Sequence, residues 1–320
     1  MHAVWIGSAG TGTGFGLAVS LRDTWGSGVR IVAADVNPPE LVAASLLADE
    51  TRQVPYTAAP EFREALLGGL AESGADTYVP ILDAEIVLAR RLSVDGRLPG
   101  SVALAAPPLE AALLCLDKLA MAAWMADRGI PSPATWAPDA APRDGRELFA
   151  KPRQGVGSVG ARALTSLDDL LALSAADDAE DFVVQQGCQS PEVTVDAFRG
   201  RAGGPVQALC RERLEVKAGV CTKARVFTDP EIGDLAERLG AGLGLEGAFC
   251  FQVMRDVASG WVVTDVNARH GAGSRMSAAV GFDIMAANMA DLWGEDASRY
   301  LVAPDIERIV LRQYAEYVSR

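Results

Sequence analysis

Short apolar runs alternate with amphipathic segments over the first third of the chain. The runs are rich in β-branched and aromatic residues and predict buried strands at 3–7, 29–35 and 77–81. The amphipathic segments at 14–25 and 60–73 predict the helices between those strands. This strand–helix rhythm predicts an N-terminal α/β domain, residues 1–112, built on a doubly wound parallel sheet.

The pattern changes after a helical segment that ends at Gly129, with Pro131 and Pro133 just beyond it. The stretch "ELFAKPRQGVGSVGARAL" predicts two strands joined by a glycine-rich turn, and Ser166 with Asp169 predicts the start of a helix. "DFVVQQ" and "PEVTVDAFRG" predict two further strands, which makes this part α+β. The expected division of residues 113–320 is a first lobe near 118–187, a second near 188–303 and a closing strand or helix over 304–320.

One predicted strand carries unusual polar residues. In "WVVTDVNARHG" the side chains of Asp265, Asn267 and Arg269 alternate along an extended chain and therefore share one face. If Asp256 faces Trp261 across a four-residue hairpin loop, residues 252 and 265 become direct neighbours. A few hard oxygen donors of this kind suit Mg²⁺ bound through phosphates, although a wet sheet face can also carry polar pairs.

Composition narrows the functional classes. The 320 residues include 29 Lys and Arg against 42 Asp and Glu, a formal charge of −13, which repels nucleic acid and anionic lipid surfaces. The N-terminus lacks the pattern of a signal peptide or membrane anchor, and the five cysteines form no C-x-x-C pair, so we expect a cytoplasmic protein with reduced thiols. Only two histidines are present, so a multi-histidine metal site is excluded and a serine or cysteine triad would need His270.

A glycine-rich turn, "GSAGTGTGFG", follows the first predicted strand, and Asp35 ends the second. This arrangement is typical of a nicotinamide-nucleotide site, in which an acid binds the ribose. A βα turn that needs glycines for tight packing gives the same pattern. Both interpretations stay open on the sequence.

Taken in order, several motifs resemble those of the ATP-grasp ligases, most closely the branch similar to the carbamoyl-phosphate-synthase large chain. "AVWIGSAGTGTGFGLAVSLR" and "TYVPILDAEIVLARR" are similar to its leading domain, and "LDKLAMAAWMADRGIPSPAT" to the helix that follows. "FAKPRQGVGSVGA" resembles its phosphate-covering loop, "VVQQGCQSPEVTVD" its hinge and "TDVNARHGAGSRMSAAVG" its metal strand and substrate loop. The resemblance implies a two-lobed ATP-grasp domain behind the N-terminal domain, and it makes nicotinamide binding less expected.

The resemblance assigns roles to individual residues. The residues expected to bind the nucleotide are Lys118, Lys151, Gly155, Gly157, Ser158, Gln185, Gln186, Gly187, Cys188 and Glu192. Gln252, Asp265 and Asn267 are expected to bind Mg²⁺, which Mn²⁺ could replace. Arg269, Lys223 and Arg275 are the expected catalytic residues. Arg269 would stabilise the transferring phosphoryl group, Arg275 would clamp a substrate carboxylate, and Lys223 belongs to an acceptor-side loop with Arg211 and Lys217 around Gly219. Three departures stand out: aspartate replaces the usual glutamate at 265, glutamines replace an acid at 185 and 186, and Ala268 replaces proline.

The chemistry implied is an ATP-dependent carboxylate–amine ligation through an acylphosphate, with release of ADP and phosphate. Such phosphoryl transfer depends on positioning and charge neutralisation, which suits a chain poor in histidine. Small-molecule carboxylates and amines, amino acids above all, are the expected partners, and a homodimer is compatible with this reading. A regulatory module without turnover, a kinase, a carboxylase and a nicotinamide dehydrogenase are the alternatives.

Overall fold

The computed structural model describes residues 1–155, 160–188, 191–217, 219–256, 259–313 and 315–318. Two predicted nucleotide-binding residues, Gly157 and Ser158, lie outside these ranges. None of the helices in the described ranges combines the length and apolar character that a bilayer crossing requires. The five cysteines are free thiols.

The N-terminal part consists of parallel strands and the helices that connect them. These elements are β1 (His2–Ile6), α1 (Gly12–Trp25), β2 (Val29–Asp35), β3 (Glu50–Gln53), α2 (Phe62–Ser73), β4 (Thr77–Val79), α3 (Asp83–Val94) and β5 (Ala103–Leu104). The strand order is β3-β2-β1-β4-β5, and neighbouring strands are parallel. Val4 of β1 packs with α1 while Trp5 packs with α2 on the opposite face, which confirms the doubly wound arrangement.

Two helices follow where one helical segment was predicted: α4 (Leu109–Leu116) and α5 (Lys118–Asp127). The chain breaks at Asp117, because its carboxylate accepts hydrogen bonds from the backbone N–H groups of Leu119 and Ala120 and so caps α5. Met121 and Met125 then pack into the core of the six-stranded sheet described below. The start of the predicted first lobe therefore shares its core with the second lobe, because the apolar face of α5 is buried there.

A four-stranded antiparallel sheet comes next in the chain. It contains β6 (Thr135–Trp136), β7 (Leu148–Pro152), β8 (Arg162–Leu164) and β9 (Phe182–Gln186) in the order β6-β9-β7-β8, with α6 (Leu167–Ser174) between β8 and β9. The predicted hairpin of β7 and β8 is confirmed. The predicted helix start is confirmed too, since Ser166 and Asp169 form a reciprocal capping box.

The last part is built on a six-stranded antiparallel sheet. Its elements are β10 (Val193–Arg199), β11 (Gln207–Lys217), β12 (Val220–Phe227), α7 (Pro230–Gly242), β13 (Gly247–Asp256), β14 (Gly260–Asn267), α8 (Ser274–Ala278), α9 (Ile284–Leu292) and β15 (Arg308–Leu311). The strand order is β14-β13-β10-β11-β12-β15. Helix α9 returns to the N-terminal part, where Met285 and Met289 pack with Leu17 and Leu21 of α1.

Candidate active site

A cavity of about 1160 Å³ is lined by residues of both antiparallel sheets and of the N-terminal part. Its floor is the six-stranded sheet. The strand register places Arg211, Thr194, Gln252 and Asp265 side by side on β11, β10, β13 and β14, and all four line the cavity. The predicted convergence of residues 252 and 265 is thus present, within a longer polar row.

The predicted register at the tip of this hairpin was wrong. Asp256 faces Gly260 rather than Trp261, so β14 begins one residue closer to the turn than predicted. A β-bulge between Gln252 and Val253 then shifts the register, and beyond it Gln252 does pair with Asp265. The pairing that matters for the site therefore depends on the bulge.

The bulge has a packing cause. Val263 and Val266 lie in the same hydrophobic core, yet they are three residues apart, and a regular strand would send them to opposite faces. Thr264 is the extra residue between the two registers. Its carbonyl oxygen accepts a hydrogen bond from Nζ of Lys151, 2.7 Å away, so the bulge also anchors a predicted phosphate-binding lysine.

Both predicted lysines line the cavity. Nζ of Lys118, at the first position of α5, lies 3.3 Å from the carbonyl oxygen of Gly155. Burial lowers the pKa of Lys151, an effect that the nearby Asp265 carboxylate opposes. An anion in the cavity would stabilise the charged form of this buried ammonium.

The donor set for a metal is a single carboxylate with two amides. Nδ2 of Asn267 donates to Oδ2 of Asp265 at 3.0 Å, so the amide nitrogen rather than the oxygen is turned to the carboxylate. The described residues contain no group of three or more His, Cys, Asp or Glu side chains that could hold a metal ion by themselves. Oxygen donors this few fit Mg²⁺ that takes its remaining ligands from phosphates and water.

Arg269 carries an ion pair that the sequence did not predict. Its Nε and a terminal nitrogen donate to the two carboxylate oxygens of Asp83, at 2.7 and 3.2 Å. Asp83 is the first residue of α3, in the N-terminal part, 186 positions away in the sequence. Burial acts to lower the pKa of Arg269, but Asp83 outweighs it and the pKa is raised, so the guanidinium stays charged.

The predicted hinge residues also line the cavity, namely Gln185, Gln186, Gly187, Cys188 and Glu192. The side-chain amide of Gln185 is buried and donates to Oγ1 of Thr135 at 2.9 Å, which fixes the end of β9. The carboxylate of Glu192 is paired with Arg213 on the neighbouring strand.

The structure places two predicted catalytic residues elsewhere. Nζ of Lys223 lies 3.0 Å from a carboxylate oxygen of Glu215 on the half-exposed face of β12, and Lys223 is absent from the described cavity lining. Alternation along the strand explains this, because the buried side chains of Thr222, Ala224 and Val226 take the inward positions and leave Lys223 on the outer face. Arg275 lies outside the lining as well: its guanidinium bridges Ser20 and Asp23 of α1, because α8 packs against that helix.

The N-terminal glycine-rich turn is packed by its own neighbours. The carboxylate of Asp35 accepts a hydrogen bond from the backbone N–H of Gly10 at 2.7 Å, in the position considered for a ribose acid. A Cβ atom on Gly7 would lie 1.7 Å from Oε1 of the buried Glu85. The glycines are therefore required by close approach to side chains of the domain itself, which favours the packing interpretation of this turn.

His270 and Cys250 are buried at the cavity, and Cys250 belongs to its lining. Burial, followed by the charge of Arg269, lowers the pKa of His270 to about 4. Burial also raises the pKa of the Cys250 thiol to about 12. Near neutral pH the imidazole is uncharged and a weak proton acceptor, and the thiol is protonated, so neither is a strong base or nucleophile.

Charge in the cavity is opposite to the charge of the whole chain. Its described lining holds eight Lys and Arg but only three Asp and Glu, whereas the chain carries a net charge of −13. The cations come from several segments. Arg211 and Arg213 alternate on β11 in "CRERLEV", and this spacing is a local signal for a basic face. Asp83 carries no comparable signal, because its partner is remote in sequence.

Comparisons with known proteins agree with this architecture. A family model described as "ATP-grasp in the biosynthetic pathway with Ter operon" matches residues 178–314, less than half of the chain. Among curated proteins no relative matches the sequence.

Solved structures cover nearly the whole chain. The biotin carboxylase domain of Hydrogenobacter thermophilus 2-oxoglutarate carboxylase, in complex with MgADP, ADP and bicarbonate, aligns with a TM-score of 0.72 and 14% identity over 92% of this chain and 70% of that one. The ADP complex of N5-carboxyaminoimidazole synthetase from Staphylococcus aureus aligns with a TM-score of 0.71 and 16% identity over 92% and 78%. Biotin carboxylase from Campylobacter jejuni gives 0.72 and 16% over 95% and 72%. Together these likenesses show that the chain has the ATP-grasp fold, in the form that biotin carboxylase and N5-carboxyaminoimidazole synthetase share.

Proposed function

We propose that this protein is an ATP-dependent, ADP-forming ligase that joins a small carboxylic acid to an amine through an acylphosphate. The observation that carries the proposal is the reversal of charge: a strongly acidic chain encloses a cavity with eight cationic and three anionic side chains in its described lining. A cavity lined mainly by cations attracts anionic ligands, and a nucleotide triphosphate with a carboxylate is such a ligand.

The nucleotide would lie along the hinge and the floor of the cavity. Backbone atoms of Gln186 to Cys188 would meet the adenine, and Glu192 the ribose. Lys118 and Lys151 would hold phosphate oxygens, each as a point charge. Mg²⁺, held by Asp265 and Asn267 with Gln252 assisting, would neutralise charge between the outer phosphates when bound.

Arg269 would act at the point of transfer. Asp83 holds two of its nitrogens, which fixes the plane of the guanidinium beside the metal-binding strand. The substrate carboxylate attacks the γ-phosphorus, the bond to the bridging oxygen breaks, and ADP leaves. An amine then attacks the acyl carbon, phosphate leaves with its electron pair, and the amine proton passes to solvent or phosphate. Neither step needs a histidine base, and the lowered pKa of His270 gives it no such role.

A carboxylase is the second candidate, because the similar solved structures include biotin carboxylases and N5-carboxyaminoimidazole synthetases. In that reaction bicarbonate takes the place of the organic acid as the phosphoryl acceptor. Amino acids as substrates, a homodimer and a cytoplasmic location remain parts of the proposal.

An ADP-release screen tests the proposal. Purified protein with MgATP would be offered carboxylic acids, amines and bicarbonate, singly and in pairs, and each active mixture would be analysed by mass spectrometry. The ligase predicts ADP release that requires an acid, and a product carrying a new amide. Dependence on bicarbonate would instead identify the carboxylase. ATP binding without ADP release in every mixture would leave a binding module and refute the ligase.

A further inference from the structure

Arg211 lies on the cavity floor at a distance from the predicted metal site. It occupies the same row as Asp265, separated from it by the strands that carry Thr194 and Gln252. Neighbouring strands are about 4.8 Å apart, so the two backbone positions are roughly 14 Å apart. Arg211 therefore lies on the side of the cavity away from Asp265 and Asn267.

The guanidinium of Arg211 is buried without full compensation. The residue is 2% exposed and still lines the cavity. Its closest carboxylate contact is Oδ2 of Asp196, at 3.4 Å. That carboxylate has two shorter contacts, from the hydroxyl groups of Ser274 at 2.8 Å and Ser277 at 2.5 Å. In the part of the chain that the structure describes, Nε of Arg211 has no hydrogen-bond partner.

The other two arginines on the floor are matched more closely. Arg213 is paired with Glu192, and Arg269 is held by both oxygens of Asp83. A buried guanidinium with one long contact is costly unless a further anion approaches it. Arg211 is thus the floor arginine whose charge is best placed to bind a ligand.

The loop after β14 packs closely against the guanidinium of Arg211. A Cβ atom on Gly273 would lie 2.3 Å from a terminal nitrogen of Arg211, so only glycine lets the loop lie this close. Gly271, Ala272 and Gly273 line the same cavity, as does Thr13 of α1. Arg211 and this loop therefore form the wall of one subsite.

We propose that Arg211 binds a second anionic group of the acid substrate, a carboxylate or a phosphate, while the reacting carboxylate lies near Arg269. This inference rests on the ligase function proposed above and names the substrate class: small acids with two anionic groups, not simple monocarboxylates. The planar fork of arginine suits either anion.

The test compares matched acids. L-glutamate, O-phospho-L-serine and L-norvaline would each be titrated into protein saturated with Mg²⁺ and a non-hydrolysable ATP analogue, by calorimetry, and then assayed for ADP release with MgATP and an amine mixture. L-glutamate and O-phospho-L-serine each carry two anionic groups and are called the dianionic acids below. We expect at least one of them to bind at least about tenfold more tightly than norvaline, and to turn over at least about tenfold faster. The glutamate and phosphoserine arms separate carboxylate from phosphate recognition.

Two variants test whether the guanidinium of Arg211 causes the preference for dianionic acids. Arg211→Lys keeps the charge and loses the fork, and Gly273→Ala pushes a methyl group against the guanidinium. Each should raise KM for the dianionic acid about tenfold or more and change the Kd of the ATP analogue less than threefold. Arg225→Gln is the control, because Arg225 pairs with Glu212 on the same sheet and lies outside the described cavity lining.

The outcomes separate this inference from the function on which it rests. Equal binding of norvaline and both dianionic acids, with ADP release intact, overturns the role of Arg211 and leaves the ligase standing. A tenfold loss of ATP-analogue affinity in folded Arg211→Lys assigns the residue to the nucleotide and also overturns it. If no acid causes ADP release in any mixture, the ligase function is refuted, and the inference falls with it.

Discussion

The ion pair between Asp83 and Arg269 joins the N-terminal part of the chain to the predicted point of phosphoryl transfer. We expect Asp83→Asn to lower kcat while leaving nucleotide affinity nearly unchanged. Asparagine keeps the size of the side chain but removes its charge, and it can accept only one of the two bonds, now 2.7 and 3.2 Å long, that Arg269 donates. The guanidinium would then rotate away from the orientation that the bidentate contact imposes.

The magnitude follows from the contact and its exposure. A hydrogen bond to a charged group contributes about 1.5 to 3 kcal/mol net, and the lower part of that range applies where solvent reaches the pair. The side chains of Arg269 and Asp83 are 16% and 24% exposed, so solvent does reach them in part. A loss of about 2 kcal/mol of transition-state stabilisation corresponds to a roughly 30-fold lower kcat. KM for ATP should change less than about threefold, since Lys118 and Lys151 remain.

A double-mutant cycle assigns the effect. ADP release with the acid found in the screen would be measured for the wild type, Asp83→Asn, Arg269→Gln and the double variant, with urea unfolding as a check on folding. Asp83→Asn should cost little once Arg269 is already gone. Asp23→Asn is the matched control, because Asp23 pairs with Arg275 between the same two parts of the chain but lies outside the described cavity lining. An unchanged loss of kcat in the Arg269→Gln background would refute the reasoning.

Three further predictions concern single residues. Lys151→Met should weaken ATP binding about tenfold or more by equilibrium dialysis, whereas the exposed Lys217→Met should not change it; equal affinities would remove Lys151 from the site. Asp265→Asn should raise the Mg²⁺ concentration for half-maximal ADP release about tenfold, because the only carboxylate of the donor set is lost; an unchanged Mg²⁺ dependence would contradict this. The pKa of His270 is lowered to about 4, so the unfolded chain binds more protons between pH 4 and 6.5, and stability is lost as pH falls through that window. Urea unfolding should show a loss of about 2 kcal/mol between pH 7 and pH 5 from this group, absent in His270→Gln; parallel pH profiles would contradict it.

The sequence predicted those features that local patterns encode. Strands β1, β2 and β4 carry apolar runs and were predicted to within two residues of their observed bounds. The capping box at Ser166 is a local motif and was found where it was predicted. The polar strand β3 and the two-residue strand β5 lack such runs and were not predicted. They form because neighbouring strands already present open edges.

The candidate site was only partly predictable, because part of it depends on contacts between remote segments. Alternation placed Asp265 and Asn267 on one face, and the structure agrees. Lys223 and Arg275 satisfied the motif order equally well, yet one points to the outer face and the other is held by α1. The spacing of Val263 and Val266 was a local signal for the bulge, readable only once both are known to face one core.

Under the function proposed above, the acidic surface and the carboxylate in the cavity would favour one form of the nucleotide. Outside the protein the field of a chain with net charge −13 repels anions, but at physiological ionic strength this repulsion decays over about 8 Å. Inside the cavity the lining reverses in sign, and Lys151 and Arg269 are largely shielded from solvent, so their attraction is screened far less. A magnesium complex of ATP carries less net negative charge than free ATP, so it meets less repulsion on approach. It also brings a cation to Asp265, a carboxylate that would repel bare phosphate. For the proposed ligase we therefore expect the magnesium complex rather than free ATP to be the form that binds, with Asp265 as the residue that distinguishes the two.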